Sequence, residues 1–203
     1  MIPLLMAMAK NPLSANDAFA LEFMHDMSYN RRVCTSEGDC GNAHFDMVMN
    51  CNRGWIREWE MFCAMTDGVK KIHNGTVFGL RSYNWNRYCA SEQSDEHVIH
   101  CNRIDLRDWE YFMFLSNSDG ELRDGDTVYL YSVQWGTYCY PRSGVTFDME
   151  MRCDATTQGG IPYTLHVVAG RSCDSKETEP RVTSDEYYST TQPVASSAYR
   201  VSP

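Results

Sequence analysis

Nine cysteines and six histidines are the side chains of this sequence with the most chemistry to offer. Closely spaced thiols hold metals, and a histidine beside a thiol, hydroxyl or carboxylate makes a nucleophile. Neither arrangement forms a motif here. No two cysteines stand in a CxxC spacing, which argues against a zinc site. His25, His44, His73, His97, His100 and His166 are scattered, without helical metal spacing or an adjoining nucleophile motif. A Gly-rich phosphate loop is absent as well. The chain therefore reads as a non-enzymatic binding or scaffolding protein, with no catalytic residue, metal or cofactor expected.

The cysteines become informative through a repeat. Asn50-Cys51-Asn52-Arg53-Gly54-Trp55-Ile56-Arg57-Glu58-Trp59-Glu60-Met61-Phe62 matches His100-Cys101-Asn102-Arg103-Ile104-Asp105-Leu106-Arg107-Asp108-Trp109-Glu110-Tyr111-Phe112 at an offset of 50 residues without a gap. A fainter third copy places Cys153 at 52 residues beyond Cys101. Upstream, the stretch from Val77 to Cys89 matches Val128 to Cys139 after one deletion, and the first copy begins at Ala18. Self-similarity at this period marks a repeat architecture. Each copy reads as four short strands. In the second these are Val77 to Ser82, Arg87 to Ala90, Val98 to Cys101 and Trp109 to Leu115, separated by Gly, Asn, Asp and Ser. No segment sustains a helical period. Three such units give an all-β chain of twelve strands, and closing the sheet on itself removes its edges.

The second copy carries Leu80-Arg81-Ser82, Arg87-Tyr88-Cys89-Ala90-Ser91-Glu92, Cys101-Asn102-Arg103 and Trp109-Glu110-x-Phe112. It resembles the fascin-like, actin-crosslinking-like β-trefoil repeat. The likeness covers about Ala18 to Val168 and is weakest in the third copy. It implies a β-trefoil with pseudo-threefold symmetry at residues 17–170, in repeats of about 17–66, 67–120 and 121–170, between arms at 1–16 and 171–203. As function it implies a structural component docking on a cytoskeletal filament (actin or microtubule) or another multi-subunit assembly. The alternative is a secreted lectin that binds carbohydrate.

Cys34 and Cys51, Cys89 and Cys101, and Cys139 and Cys153 occupy the same two strand positions in each copy. The resemblance turns these positions to the core. Two readings stand, reduced core thiols or one disulfide per copy, and they lead to different compartments. Reduced thiols suit the cytoplasm, which is the expectation here, and disulfides suit secretion. Cys40, Cys63 and Cys173 fall outside the pattern. Trp59 and Trp109, with Phe62 and Phe112, are expected to anchor the core. Trp85 and Trp135 fall in the turn between the first two strands, and Trp55 falls in a loop. These three are candidate partner platforms, with packing between copies as the other reading. Tyr187, Tyr188 and Tyr199 are candidate anchors in the Ser/Thr/Tyr-rich C-terminal arm, whose composition predicts disorder in isolation.

Composition narrows the partners. A formal net charge of −9 argues against nucleic acid, since phosphate binding needs clustered Lys and Arg. No apolar run approaches the roughly 20 residues of a membrane-spanning helix. Met1 to Ala9 is apolar and ends in Ala7-Met8-Ala9 like a signal cleavage site, yet it lacks a basic start. Asn74-Gly75-Thr76 fits a glycosylation sequon, which bears on the chain only if it is secreted.

Overall fold

The computed structural model describes residues 10–25, 30–37, 47–93, 97–142, 149–157 and 161–176. Among them run twelve strands: β1 Asp17–His25, β2 Asn30–Glu37, β3 Val48–Arg53, β4 Phe62–Met65, β5 Val77–Ser82, β6 Arg87–Ser91, β7 Ile99–Arg103, β8 Tyr111–Leu115, β9 Thr127–Ser132, β10 Thr137–Arg142, β11 Glu150–Ala155 and β12 Tyr163–Ser172. All pair antiparallel within one sheet. The all-β expectation therefore holds.

The pairings explain why this sheet needs no edge. β1 pairs with β4, β4 with β5, β5 with β8, β8 with β9, β9 with β12, and β12 with β1 again. This closed path satisfies the backbone groups that an open edge would leave bare. The other strands form the hairpins β2–β3, β6–β7 and β10–β11. They meet one another through Val48 opposite His100, Asn50 opposite Glu150, and Val98 opposite Arg152.

Two rings of backbone hydrogen bonds join the copies. Under the hairpins, the N–H groups of Cys51, Cys101 and Cys153 donate to the carbonyls of Met149, Met47 and His97, each at 2.9 Å. All three acceptors sit at positive φ (63°, 51° and 60°), an uncommon conformation for residues with a Cβ. At the opposite end of the barrel Leu13 donates to Leu122, Leu122 to Ile72, and Ile72 to Leu13, at 2.8, 2.9 and 3.0 Å. These three side chains are fully buried and plug that end. Leu13 thus belongs to the barrel, so the folded part begins before the expected boundary at residue 16. At the other terminus β12 runs through Ser172 and Cys173 is fully buried, so the folded part extends past the expected boundary at 170.

The core fills by alternation along each strand. Phe19, Phe78 and Val128 take one level of the barrel, and Leu21, Leu80 and Leu130 the next, all fully buried. Phe62, Phe112 and Tyr163 come inward from β4, β8 and β12. Burial pushes the Tyr163 hydroxyl's pKa well up, and its O–H donates to the Cys139 carbonyl at 3.1 Å.

The paired cysteines are core residues and are oxidised: Cys34–Cys51, Cys89–Cys101 and Cys139–Cys153 each join the hairpin of one copy. A fourth bridge, Cys63–Cys173, ties β4 to the 3-10 turn Cys173–Lys176. Two of the three cysteines set apart by sequence are thus partners in space. Cys40 lies outside the described residues. Four disulfides among the described residues suit an oxidising, extracellular type of environment, and they do not support the expected cytoplasmic location. Among the described residues no helix is long and apolar enough to cross a membrane.

Candidate ligand-binding face

The loops before β4 and β8 carry the best repeated part of the sequence, and their fold explains why it repeats. In each, an extended arginine precedes a 3-10 turn, Glu58–Glu60 or Asp108–Glu110. The last glutamate of the turn folds back to accept the arginine's backbone N–H. Glu60 Oε2 takes that of Arg57 at 2.8 Å, and Glu110 Oε2 that of Arg107 at 2.7 Å. This satisfies a donor that the helix start would otherwise leave bare. The glutamate of the recurring Arg-x-Trp-Glu is thus the residue that closes the loop.

The device corrects one expectation. Trp59 and Trp109 do not anchor the core. The turn points the buried glutamate inward and turns the tryptophan out, so Trp59 is half-buried and Trp109 is 38% exposed. Phe62 and Phe112, at the start of regular alternation, are fully buried as expected. The outward tryptophans are partly covered by the next copy: Trp85 lies on Trp59 with ring centroids 5.7 Å apart, and Trp135 on Trp109 at 6.1 Å. The indole N–H groups of Trp85 and Trp135 donate to the Ser36 and Ser91 carbonyls, at 2.9 and 2.7 Å. Both of these half-buried tryptophans therefore fasten one copy to the one before it. His97 adds a third ring to the second junction, 4.7 Å from Trp135.

Trp55 stays in the open, 57% exposed, with the Arg57 guanidinium 5.3 Å from its ring centroid. An exposed cation–π contact of this kind contributes about 0.5–1 kcal/mol. Tyr187, Tyr188 and Tyr199 lie outside the described residues.

Sequence reasoning missed the cleft beside Trp109. A concavity of about 450 Å³ opens along the β7–β8 loop, lined by residues from Arg103 to Glu110 other than Leu106. Leu106 instead covers Gly79 of β5, where any Cβ would run into its side chain. That anchor leaves Ile104 (63% exposed), Asp105, Arg107 and Asp108 facing solvent around the indole. Arg107 and Asp105 stand 3.7 Å apart and are largely exposed, so their mutual hold is weak. Arg103 is held by Glu92 at the rim. The cleft thus offers the exposed part of an indole, two cations and two exposed carboxylates. A polar ligand that both donates and accepts hydrogen bonds fits that set. A scan for exposed aromatics among the repeated positions would have found it only with the turn geometry known.

Glu110 differs from its neighbours. Burial raises its carboxyl above the usual range, while the backbone N–H of Arg107 pulls it back. A carboxyl pKa raised by folding means that the folded state binds the proton more tightly, so its contribution to stability falls as pH climbs past the unfolded value. Glu110→Gln keeps an acceptor for Arg107 and removes the buried charge. Thermal melts should therefore show this variant gaining on the parent from about pH 4 to about pH 7. Glu110→Ala should instead lose about 1 kcal/mol with the cap. A parent that gains on Glu110→Gln over that range would contradict the assignment.

The fold and its bridges define an all-β, disulfide-linked protein with an open mixed-polarity cleft. No family model matches the chain, and no curated protein does. Solved structures with this fold include a Caenorhabditis elegans protein of unknown function. It is 10% identical, with a TM-score of 0.58 over 77% of this chain and 97% of that one. At that identity the likeness concerns the fold alone.

Proposed function

We propose that the chain is a fascin-like β-trefoil acting as a non-enzymatic binding module in an oxidising compartment, with a glycan as its ligand. The closed six-strand barrel, the three hairpins and the two hydrogen-bond rings support the trefoil reading. Leu80-Arg81-Ser82 and Trp109-Glu110-x-Phe112 support its fascin-like character. Docking on actin or microtubules, which that resemblance raises, belongs to the cytosol and draws no support from the four disulfides among the described residues.

The observation that carries the ligand reading is the exposed Trp109 indole at the edge of the cleft, among Arg103, Asp105, Arg107 and Asp108. A pyranose presents C–H groups to an aromatic face and hydroxyls that both donate and accept. Carboxylates and guanidinium groups meet the hydroxyls in charge-assisted bonds, roughly twice as strong as neutral ones. The formal charge of −9 favours neutral over acidic glycans.

Oxidised protein on a glycan array should bind a restricted set of neutral oligosaccharides. Calorimetry on a positive glycan should then show Asp105→Ala and Arg107→Ala each weakening binding by about 10-fold or more. Both residues are exposed, so melting temperatures should not move. Trp109→Ala should abolish binding and lose some stability through Trp135. An empty array, or full affinity in all three variants, rejects the reading.

A further inference from the structure

We propose that Asn74 is an N-glycosylation site, filled when the chain passes through a eukaryotic secretory lumen. Asn74-Gly75-Thr76 is the one Asn-x-Ser/Thr triplet in the sequence. It lies in the exposed turn that leads into β5, and Asn74 itself is exposed. Gly75 holds a positive φ of 78°, and a Cβ added there would meet nothing within 4 Å. The space beside the asparagine is open. The disulfides supply a second, independent observation, since they and the transfer reaction need the same kind of compartment.

The triplet also has a structural role, and the other copies reveal how much of it the fold requires. Thr76 Oγ1 accepts the His73 N–H at 3.0 Å. In the equivalent turns Asp17 accepts the Ser14 N–H at 2.9 Å and Asp126 the Arg123 N–H at 2.8 Å. Asn74 Oδ1 accepts the Ser116 N–H at 3.0 Å, as Asp124 Oδ1 accepts that of Val167 at 3.0 Å. Aspartate therefore serves at both positions, and the fold does not demand the asparagine or the threonine. Its own use of Asn74 stops at Oδ1. Nδ2, the atom that takes a glycan, makes no hydrogen bond among the described residues, so folding and modification do not compete.

The donor is an oligosaccharide linked through pyrophosphate to a membrane lipid. The Nδ2–C1 bond forms, the bond from C1 to the pyrophosphate oxygen breaks, Nδ2 gives up one proton, and the lipid pyrophosphate leaves. No electrons change hands. Asn74 lies where β5 starts, beside the Leu13–Ile72–Leu122 plug, whereas the cleft adjoins the opposite end of β8. A glycan there leaves the cleft open.

The test expresses the full chain behind a secretory leader in eukaryotic cells. Secreted parent and Thr76→Ser should carry one glycan, removed by an amidase that leaves aspartate at position 74. Asn74→Asp and Thr76→Asp keep the turn's acceptors but destroy the sequon. They should be secreted, folded and bare, with melting temperatures close to that of the deglycosylated parent. Folded, disulfide-bonded parent with unmodified Asn74 would overturn the proposal. So would a glycan that persists in Thr76→Asp.

Discussion

Replacing Cys63 and Cys173 together by alanine should cost about 5 kcal/mol of unfolding free energy, more than the loss of any intra-hairpin bridge. The reason is chain entropy. This bridge spans 110 residues, against 17, 12 and 14 for the other three. A cross-link restricts the unfolded chain more the longer its loop, so the short bridges are worth about 3 kcal/mol each on the same scale. The staple also closes the fold. The Cys173 N–H donates to the Asn16 carbonyl at 2.8 Å, and its own carbonyl accepts from Arg81 at 3.0 Å, which ties the turn after the last strand to the start of the first and to β5. Denaturant melts of the double variant beside Cys89→Ala/Cys101→Ala, without reductant, measure the difference. Equal losses would show that the long-range bridge does not restrain the unfolded chain as argued.

Phe114→Ala should cost about 3–5 kcal/mol, the usual loss on removing a buried aromatic ring that its surroundings cannot refill. Phe114 is fully buried, with ring centroids 4.8 Å from Phe78 and 5.4 Å from Phe19. The corresponding positions on β4 and β12 hold Ala64 and Leu165. The three residues share one level of the barrel, and a large ring on β8 fills the room that a small Ala64 leaves. Phe114→Leu, which installs the third copy's residue, should therefore lose clearly less than Phe114→Ala. Urea melts with an unchanged slope test this. If both variants melt together, the barrel repacks freely and the volume argument fails.

The same level shows what a repeat conceals when it is read in one dimension. Alignment of the copies identifies Phe62 and Phe112 as core because strand alternation determines their facing. It assigns Trp59 and Trp109 to the core as well, since both repeat in register and both are large. Their facing depends on a three-residue turn closed by Glu60 and Glu110, and that turn interrupts the alternation. The cleft beside Trp109 is hidden from the sequence for this reason. Trp85 and Trp135 are legible as turn residues, but their acceptors, the Ser36 and Ser91 carbonyls, lie 49 and 44 residues away.

Residue types and short spacings determined the all-β character, the approximate strand positions of the second copy (β8 starts at Tyr111 and not at Trp109) and the sameness of the six hairpin cysteines. Those properties follow from side-chain alternation and from what turns require, both local. Tertiary structure alone decided the oxidised state of the thiols and the pairing of Cys63 with Cys173. It also decided the burial of Leu13 and the outward face of Trp109. The Cys63–Cys173 pairing and the burial of Leu13 depend on which copy lies beside which, whereas the three hairpin bridges and the facing of Trp109 depend on the folded geometry within one copy. Closing a barrel brings residues from opposite ends of the chain within bonding distance, and no local pattern specifies that meeting.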